Sequence, residues 1–193
     1  MKTLILCDRE SLSYNGLNLA SQIQTTVEKS GNNTKIITLN GDEIKPCVGC
    51  FGCWVKTPGQ CVMTKDSVNE IAREEIQSDV VIILSKISYG GYSYDIKSFL
   101  DRSIQNISPF FEIVDGEMRH KMRYDHFPVM ITIGYGDSSS DERQTFTTLA
   151  KRNALNMRPP KHFVFRVKSM EKLDETLESL KNALIEVPKC LKQ

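Results

Sequence analysis

Val80-Val-Ile-Ile-Leu-Ser-Lys-Ile87 runs directly into Ser88-Tyr-Gly-Gly-Tyr-Ser-Tyr94. The first half is apolar and β-branched with no polar alternation, the pattern of a strand covered on both faces. Two adjacent glycines then break the strand, and Ser93–Gln105 has helical spacing. A fully buried strand followed by an amphipathic helix is one repeat of a parallel sheet with helical crossovers.

The same alternation extends in both directions. Upstream, Thr3–Cys7 is a short apolar strand and Lys35–Leu39 a second one. Between them Gly16–Ser30 reads as a helix with Leu17, Ala20, Ile23 and Val27 on one face, ended by Gly31, Asn32 and Asn33. Asp66 is placed to cap a helix carrying Val68, Ile71, Ala72 and Ile76. Downstream, Val129–Ile133 and His162–Val167 are strands. Asp141–Asn156 and Lys172–Val187 are helices, the last with Leu173, Leu177, Leu180 and Leu184 in register. Five β-α pairs predict an α/β fold: a flavodoxin-like three-layer α/β/α sandwich on a five-stranded parallel sheet, order 2-1-3-4-5. Residues 1–193 then make a single domain. In such a fold a ligand sits beyond the carboxyl ends of the strands, so the segments after the first, third and fourth strands are the candidate site.

Two stretches fall outside the pattern: a cysteine-rich loop at 40–65 and an insertion at 107–127. The insertion holds an Asp115-Gly116 turn signal, which predicts a hairpin, and a basic run of Arg119, His120, Lys121 and Arg123. With His126, that run offers a handle for an anion or, more simply, a solvated hairpin or subunit contact. His162 opens a strand and reads as structural.

Composition narrows the function. The 25 basic and 24 acidic residues leave a net charge of +1, which argues against nucleic acid or an anionic membrane as partner. No run approaches the roughly 20 apolar residues of a membrane span, and the first residues lack a signal-peptide pattern, so a cytoplasmic location is expected.

Three segments carry candidate chemistry. After the first strand, Arg9, Ser11, Ser13, Tyr14 and Asn15 offer charge, hydroxyls and amides at a helix start, which suits a phosphate. Asp8 and Glu10 in the same loop would repel one unless they point away, and the loop could equally be a polar turn that caps the helix. In Ser88, Tyr89, Gly90, Gly91 and Tyr92, glycines allow close backbone approach to a planar ring and tyrosines allow stacking. Tyr135 and Gly136 follow the fourth strand and should flank the same ligand. Asp101 and Arg102 read as a helix-surface ion pair or a packing anchor. The third segment is Cys47, Cys50, Cys53 and Cys61, spaced C-x2-C-x2-C-x7-C. Four thiolates in so compact a loop suit a [4Fe–4S] cluster. Structural zinc more often uses two separated pairs, and free thiols that only wall a ligand site are the remaining alternative.

Pro46-Cys-Val-Gly-Cys-Phe-Gly-Cys-Trp54, Lys56-Thr-Pro-Gly-Gln-Cys61 and Lys65-Asp66, together with Ile87–Tyr94, Lys97 and Phe99-Leu-Asp-Arg102, resemble the NAD(P)H-dependent FMN reductase and iron–sulfur flavoprotein group. The resemblance implies FMN as cofactor, its phosphate at Ser11–Asn15 and its ring at Ser88–Tyr92. It implies NAD(P)H as donor and a small acceptor such as a quinone, a nitro or azo compound or free flavin. It also implies a homo-oligomer, for which the 107–127 insertion is the candidate interface. The alternative within the group is an electron carrier with FMN and a [4Fe–4S] cluster on the four cysteines, working with a ferredoxin-like partner. A flavin-free thiol or metal module is a third possibility.

Overall fold

The structure is a computed structural model and describes residues 1–167 and 169–191. Its strands are β1 (Lys2–Asp8), β2 (Asn33–Leu39), β3 (Val80–Lys86), β4 (Ile107–Val114), β5 (Glu117–Met122), β6 (Val129–Tyr135) and β7 (His162–Arg166). Five of them form one parallel sheet in the order β2-β1-β3-β6-β7, while β4 and β5 pair antiparallel as a separate hairpin. With the hairpin set aside, the sheet strands lie second, first, third, fourth and fifth in chain order.

The helices are α1 (Leu19–Lys29), α2 (Gly52–Val55), α3 (Val68–Ile76), α4 (Tyr94–Arg102), α5 (Ser140–Met157) and α6 (Leu173–Cys190). Alternation along β3 sends Val80, Ile82 and Leu84 to the core shared with α1 and α6, and Val81 and Ile83 to the core shared with α3, α4 and α5. Both faces are therefore covered, as the unbroken apolar run requires. Gly134 of β6 is needed for this packing, since a Cβ there would lie 2.7 Å from the Phe146 ring on α5. Among the described residues, no helix is long and apolar enough to cross a membrane.

Three boundaries differ from expectation. α1 begins at Leu19, not Gly16, because Asn15 and Gly16 adopt φ of 49° and 77° and close a tight turn, Leu17 N–H donating to Tyr14 O at 3.0 Å. Asn-Gly favours that turn over a helical start. Asn18 then caps α1, its side chain accepting from Ser21 N–H at 2.9 Å. α4 ends at Arg102 and continues as a 3-10 turn through Asn106. Ser67 holds the N-cap position of α3 with no side-chain cap bond, and the Asp66 carboxylate still accepts from Val68 N–H at 3.3 Å while also reaching a longer-range partner described below.

Candidate functional site

The carboxyl ends of β1, β3 and β6 meet at a mouth built around Asp8. Its carboxylate is 1% exposed and accepts from Ser11 N–H at 3.1 Å, from Lys86 N–H at 2.7 Å and from the Tyr135 hydroxyl. Burial pushes this carboxyl above its ordinary range, and the hydrogen bonds from Tyr135, Lys86, Ser93 and Ser11 hold it down in part. Ser11 Oγ donates to the Asp8 carbonyl at 2.6 Å. Arg9 is clamped by Asp95, with Nε and Nη2 at 3.0 and 2.9 Å, and by Asp42 at 3.0 Å. Lys86 Nζ neutralises Glu10 at 2.5 Å.

Four of the candidate side chains are already engaged within the protein. Arg9 and Ser11 are committed to internal carboxylate and backbone partners. Tyr135 is fully buried, its ring edge-on to Tyr14 at 4.9 Å and its hydroxyl on Asp8. Tyr92 is 7% exposed and packs edge-on against Phe146 at 5.3 Å. A tyrosine near the end of a buried strand follows the pleat inward when a buried carboxylate can take its hydroxyl, which no local spacing reveals.

Other members of the candidate set stay at the surface of the mouth. Ser13 and Asn15 are exposed and Tyr14 is half-buried. Ser88 and Gly91 exchange backbone hydrogen bonds at 3.0 and 2.8 Å across a turn with left-handed Tyr89 (φ 50°) and Gly90 (φ 76°). Tyr89 projects outward at 96% exposure. Gly90 serves packing: a Cβ there would lie 2.9 Å from Thr145 on α5. Gly136 is half-buried, and Ile87 N–H donates to Tyr135 O at 2.8 Å, tying the loop after β3 to the loop after β6.

The second site is a chamber. Cys47, Cys50, Cys53 and Cys61 line one cavity with Met63, Arg102 and Ile104. Cys53 and Cys61 are buried, Cys47 and Cys50 exposed. Burial pushes the Cys53 thiol up, and Cys61, Cys47 and Cys50 push it further, so each of the other three stands within electrostatic reach of Cys53. Gln105 Oε1 and Asn69 Oδ1 accept from Cys61 N–H at 2.6 and 2.9 Å and fix the returning strand of the loop. Trp54 lies away from the mouth. It stacks on Phe51 at 5.2 Å, meets His120 of the hairpin at 5.6 Å and donates to Ile104 O at 3.1 Å.

Arg102 is 1% exposed and bonds Asp66 at 2.9 Å, not its neighbour Asp101, which pairs with Lys97. A single zinc ion needs each sulfur about 2.3 Å from one point. Among the described residues no three or more His, Cys, Asp or Glu stand close enough for that.

Beneath the hairpin lies a cavity of about 360 Å³, lined by residues that include Tyr92, His120, Asn153 and Asn156. His162 is structural: its Nε2 lies 3.1 Å from Thr132 Oγ1, and burial lowers its pKa to about 4. Two partnerships escaped the sequence reading, Asp8 with Tyr135 and Asp66 with Arg102. Their members are 127 and 36 residues apart, and the one available signal, for Asp8 alone, was an acidic residue at the end of an apolar segment.

A family model described as NADPH-dependent FMN reductase matches residues 1–168. An iron–sulfur flavoprotein of Methanocaldococcus jannaschii is 33% identical over 85 residues, 44% of this chain and 42% of that protein. An iron–sulfur flavoprotein of Archaeoglobus fulgidus is 32% identical over 78 residues, 40% of this chain and 34% of that protein. The matched regions thus span less than half of either relative. Among solved structures, an NAD(P)H:quinone oxidoreductase from Methanothermobacter marburgensis superposes with a TM-score of 0.65 at 9% identity, over 97% of each chain.

Proposed function

Because the chain belongs to the NADPH-dependent FMN reductase family, we propose that it is an FMN-dependent oxidoreductase passing electrons from NAD(P)H to a small acceptor of the quinone, nitro, azo or free-flavin class. The observation that carries this reading is the disposition of charge at the mouth. Asp8 is turned inward onto three donors and Glu10 is neutralised by Lys86, so neither stands as a free carboxylate against a phosphate.

The fit follows from the groups left over. Ser13, Tyr14 and Asn15 hold hydroxyl and amide groups close to the start of α1, the kind of helix terminus that favours an anion. The Ser88–Gly91 turn and Gly136 present backbone and the Tyr89 ring beside it. FMN, when bound, supplies the electron chemistry. The chain supplies position and exclusion of water: Ser13 and Asn15 orient the phosphate, and the Ser88–Gly91 turn bounds the ring. No side-chain acid or base is required for hydride delivery between two held rings. Anaerobic mixing with NADPH should bleach the flavin bands of protein loaded with FMN. A protein that takes up no FMN overturns the reading.

A second redox centre is favoured by one observation, the convergence of Cys47, Cys50, Cys53 and Cys61 on a single cavity. We propose that these thiolates hold a [4Fe–4S] cluster, so that the chain trades single electrons with a ferredoxin-like partner. Iron and acid-labile sulfide at about four each per chain would support it, and their absence from anaerobically purified protein would overturn it. The hairpin exposes Phe110, Phe111, Ile113 and Met118, which supports a homo-oligomer joined there.

A further inference from the structure

The chamber wall holds a guanidinium with one donor to spare. An arginine side chain carries five N–H groups and cannot shed its charge. Arg102 spends four of them on protein acceptors. Nη1 donates to Lys45 O at 2.7 Å and Asp66 Oδ2 at 2.9 Å, and Nη2 donates to Met63 O at 3.1 Å and Asp66 Oδ1 at 3.3 Å. The fifth, on Nε, is buried and has no partner. Arg102 and Asp66 are both almost wholly buried, with side chains 1% and 3% exposed. The same arginine lines the cavity of the four cysteines.

A buried N–H with no acceptor is costly, and native proteins seldom tolerate it unless a ligand or water completes it. Here the cavity that Arg102 borders is the one walled by thiols. A thiolate-bound cluster is anionic, its sulfurs accept hydrogen bonds, and it becomes one unit more negative with each electron gained. Hydrogen bonds to cluster sulfurs are among the levers that set the potential of such centres. The Asp66 carboxylate balances the guanidinium charge, so Arg102 stays buried whether or not the chamber is filled.

We propose that Arg102 is the positioning residue of the cysteine chamber: its Nε–H donates to a sulfur of the bound cluster and makes that cluster easier to reduce. This rests on the reading that the four cysteines hold an iron–sulfur cluster. The step concerned is the uptake of one electron, with no proton, from a one-electron donor: the flavin in the cell, dithionite in the experiment. Arg102 favours the product of that step because the hydrogen bond strengthens as the sulfurs gain charge.

The test uses wild-type and Arg102→Lys protein purified anaerobically, with iron and sulfide quantified and the cluster titrated with dithionite against redox dyes. Lysine keeps the charge near Asp66 and removes the fixed Nε–H. The reduction equilibrium of Arg102→Lys should shift roughly tenfold toward the oxidised form, the size of one hydrogen bond to a charged group. Equal potentials at equal iron content overturn the proposal and leave the cluster reading standing. Wild type without iron and sulfide overturns both. Should the variant fail to fold, pulsed EPR of the reduced wild type grown on ¹⁵N-arginine decides. A resolved ¹⁵N coupling supports the contact, and its absence in protein that shows the cluster signal refutes it.

Discussion

The mouth at the end of β1 and the cysteine chamber beside α4 are both lined by polar groups, yet they have opposite economies of hydrogen bonding. At the mouth every strong donor near Asp8 is used: Ser11 N–H, Lys86 N–H and the Tyr135 hydroxyl all end on one carboxylate. In the chamber the buried Arg102 Nε has no partner. On the proposed function, the ligand groups of the mouth come from its exposed rim, Ser13, Asn15 and the Ser88–Gly91 turn, and those of the chamber from its wall.

The largest effect should come from breaking the chamber's ion pair. Arg102→Ala leaves Asp66 buried and unpaired and should cost about 3–5 kcal/mol in urea unfolding. A loss below about 1 kcal/mol would show that the pair does not hold the cysteine loop to α4.

Next is a buried carboxyl on α3. Glu75 is fully buried, its Oε2 accepting from Asn106 Nδ2 at 2.8 Å, and burial pushes its pKa up to about 7 from 4.5. Below pH 4.5 both folded and unfolded chains hold the proton, and the group contributes no pH dependence. Between 4.5 and 7 the unfolded chain releases it while the folded chain retains it, so stability falls as pH rises. Above about 7 the full penalty, up to about 3 kcal/mol, is in place. Glu75→Gln should flatten this fall when denaturation is compared at about pH 5 and about pH 8. A wild-type profile with no decline across that window would contradict the buried carboxyl.

A smaller effect is expected at the mouth. Asp8→Ala strands three donors and should lower stability by about 1–3 kcal/mol. The same change in Ser13 should leave stability within about 0.5 kcal/mol, while weakening FMN binding severalfold by calorimetry. If Ser13→Ala binds FMN as wild type does, the rim is not where the phosphate is held. Smallest in stability is the hairpin: Phe110→Lys with Ile113→Lys should change unfolding by under about 0.5 kcal/mol each, yet lower the apparent mass on gel filtration.

The sheet was legible because its signals are local. The unbroken, β-branched Val80–Leu84 run, short and followed by two glycines, fits a strand with both faces covered, and the amphipathic helices around it fit one sheet architecture. The four cysteines were legible as a unit for the same reason, since short spacing alone brings them together. What could not be read was the direction of single side chains beyond the strand ends. Tyr135 reads as a ligand-facing aromatic until Asp8, far away in sequence, is seen to take its hydroxyl. Arg102 reads as a helix-surface ion pair with Asp101 or a packing anchor; the structure takes the second, and the approach of Asp66 from another loop is what the sequence does not show. The Asn15-Gly16 turn was available in the sequence, and helix periodicity at Leu17 and Ala20 concealed it.

The contrast between rim and chamber comes to a head in one determination: flavin, iron and sulfide per chain on anaerobically purified protein, wild type beside a variant with all four chamber cysteines changed to serine. Wild type should carry FMN with about four iron and four sulfide, and the variant should keep its FMN while losing both. Wild type holding flavin but neither iron nor sulfide, or a variant that loses flavin along with the metal while still folded, would contradict two independent sites in one fold.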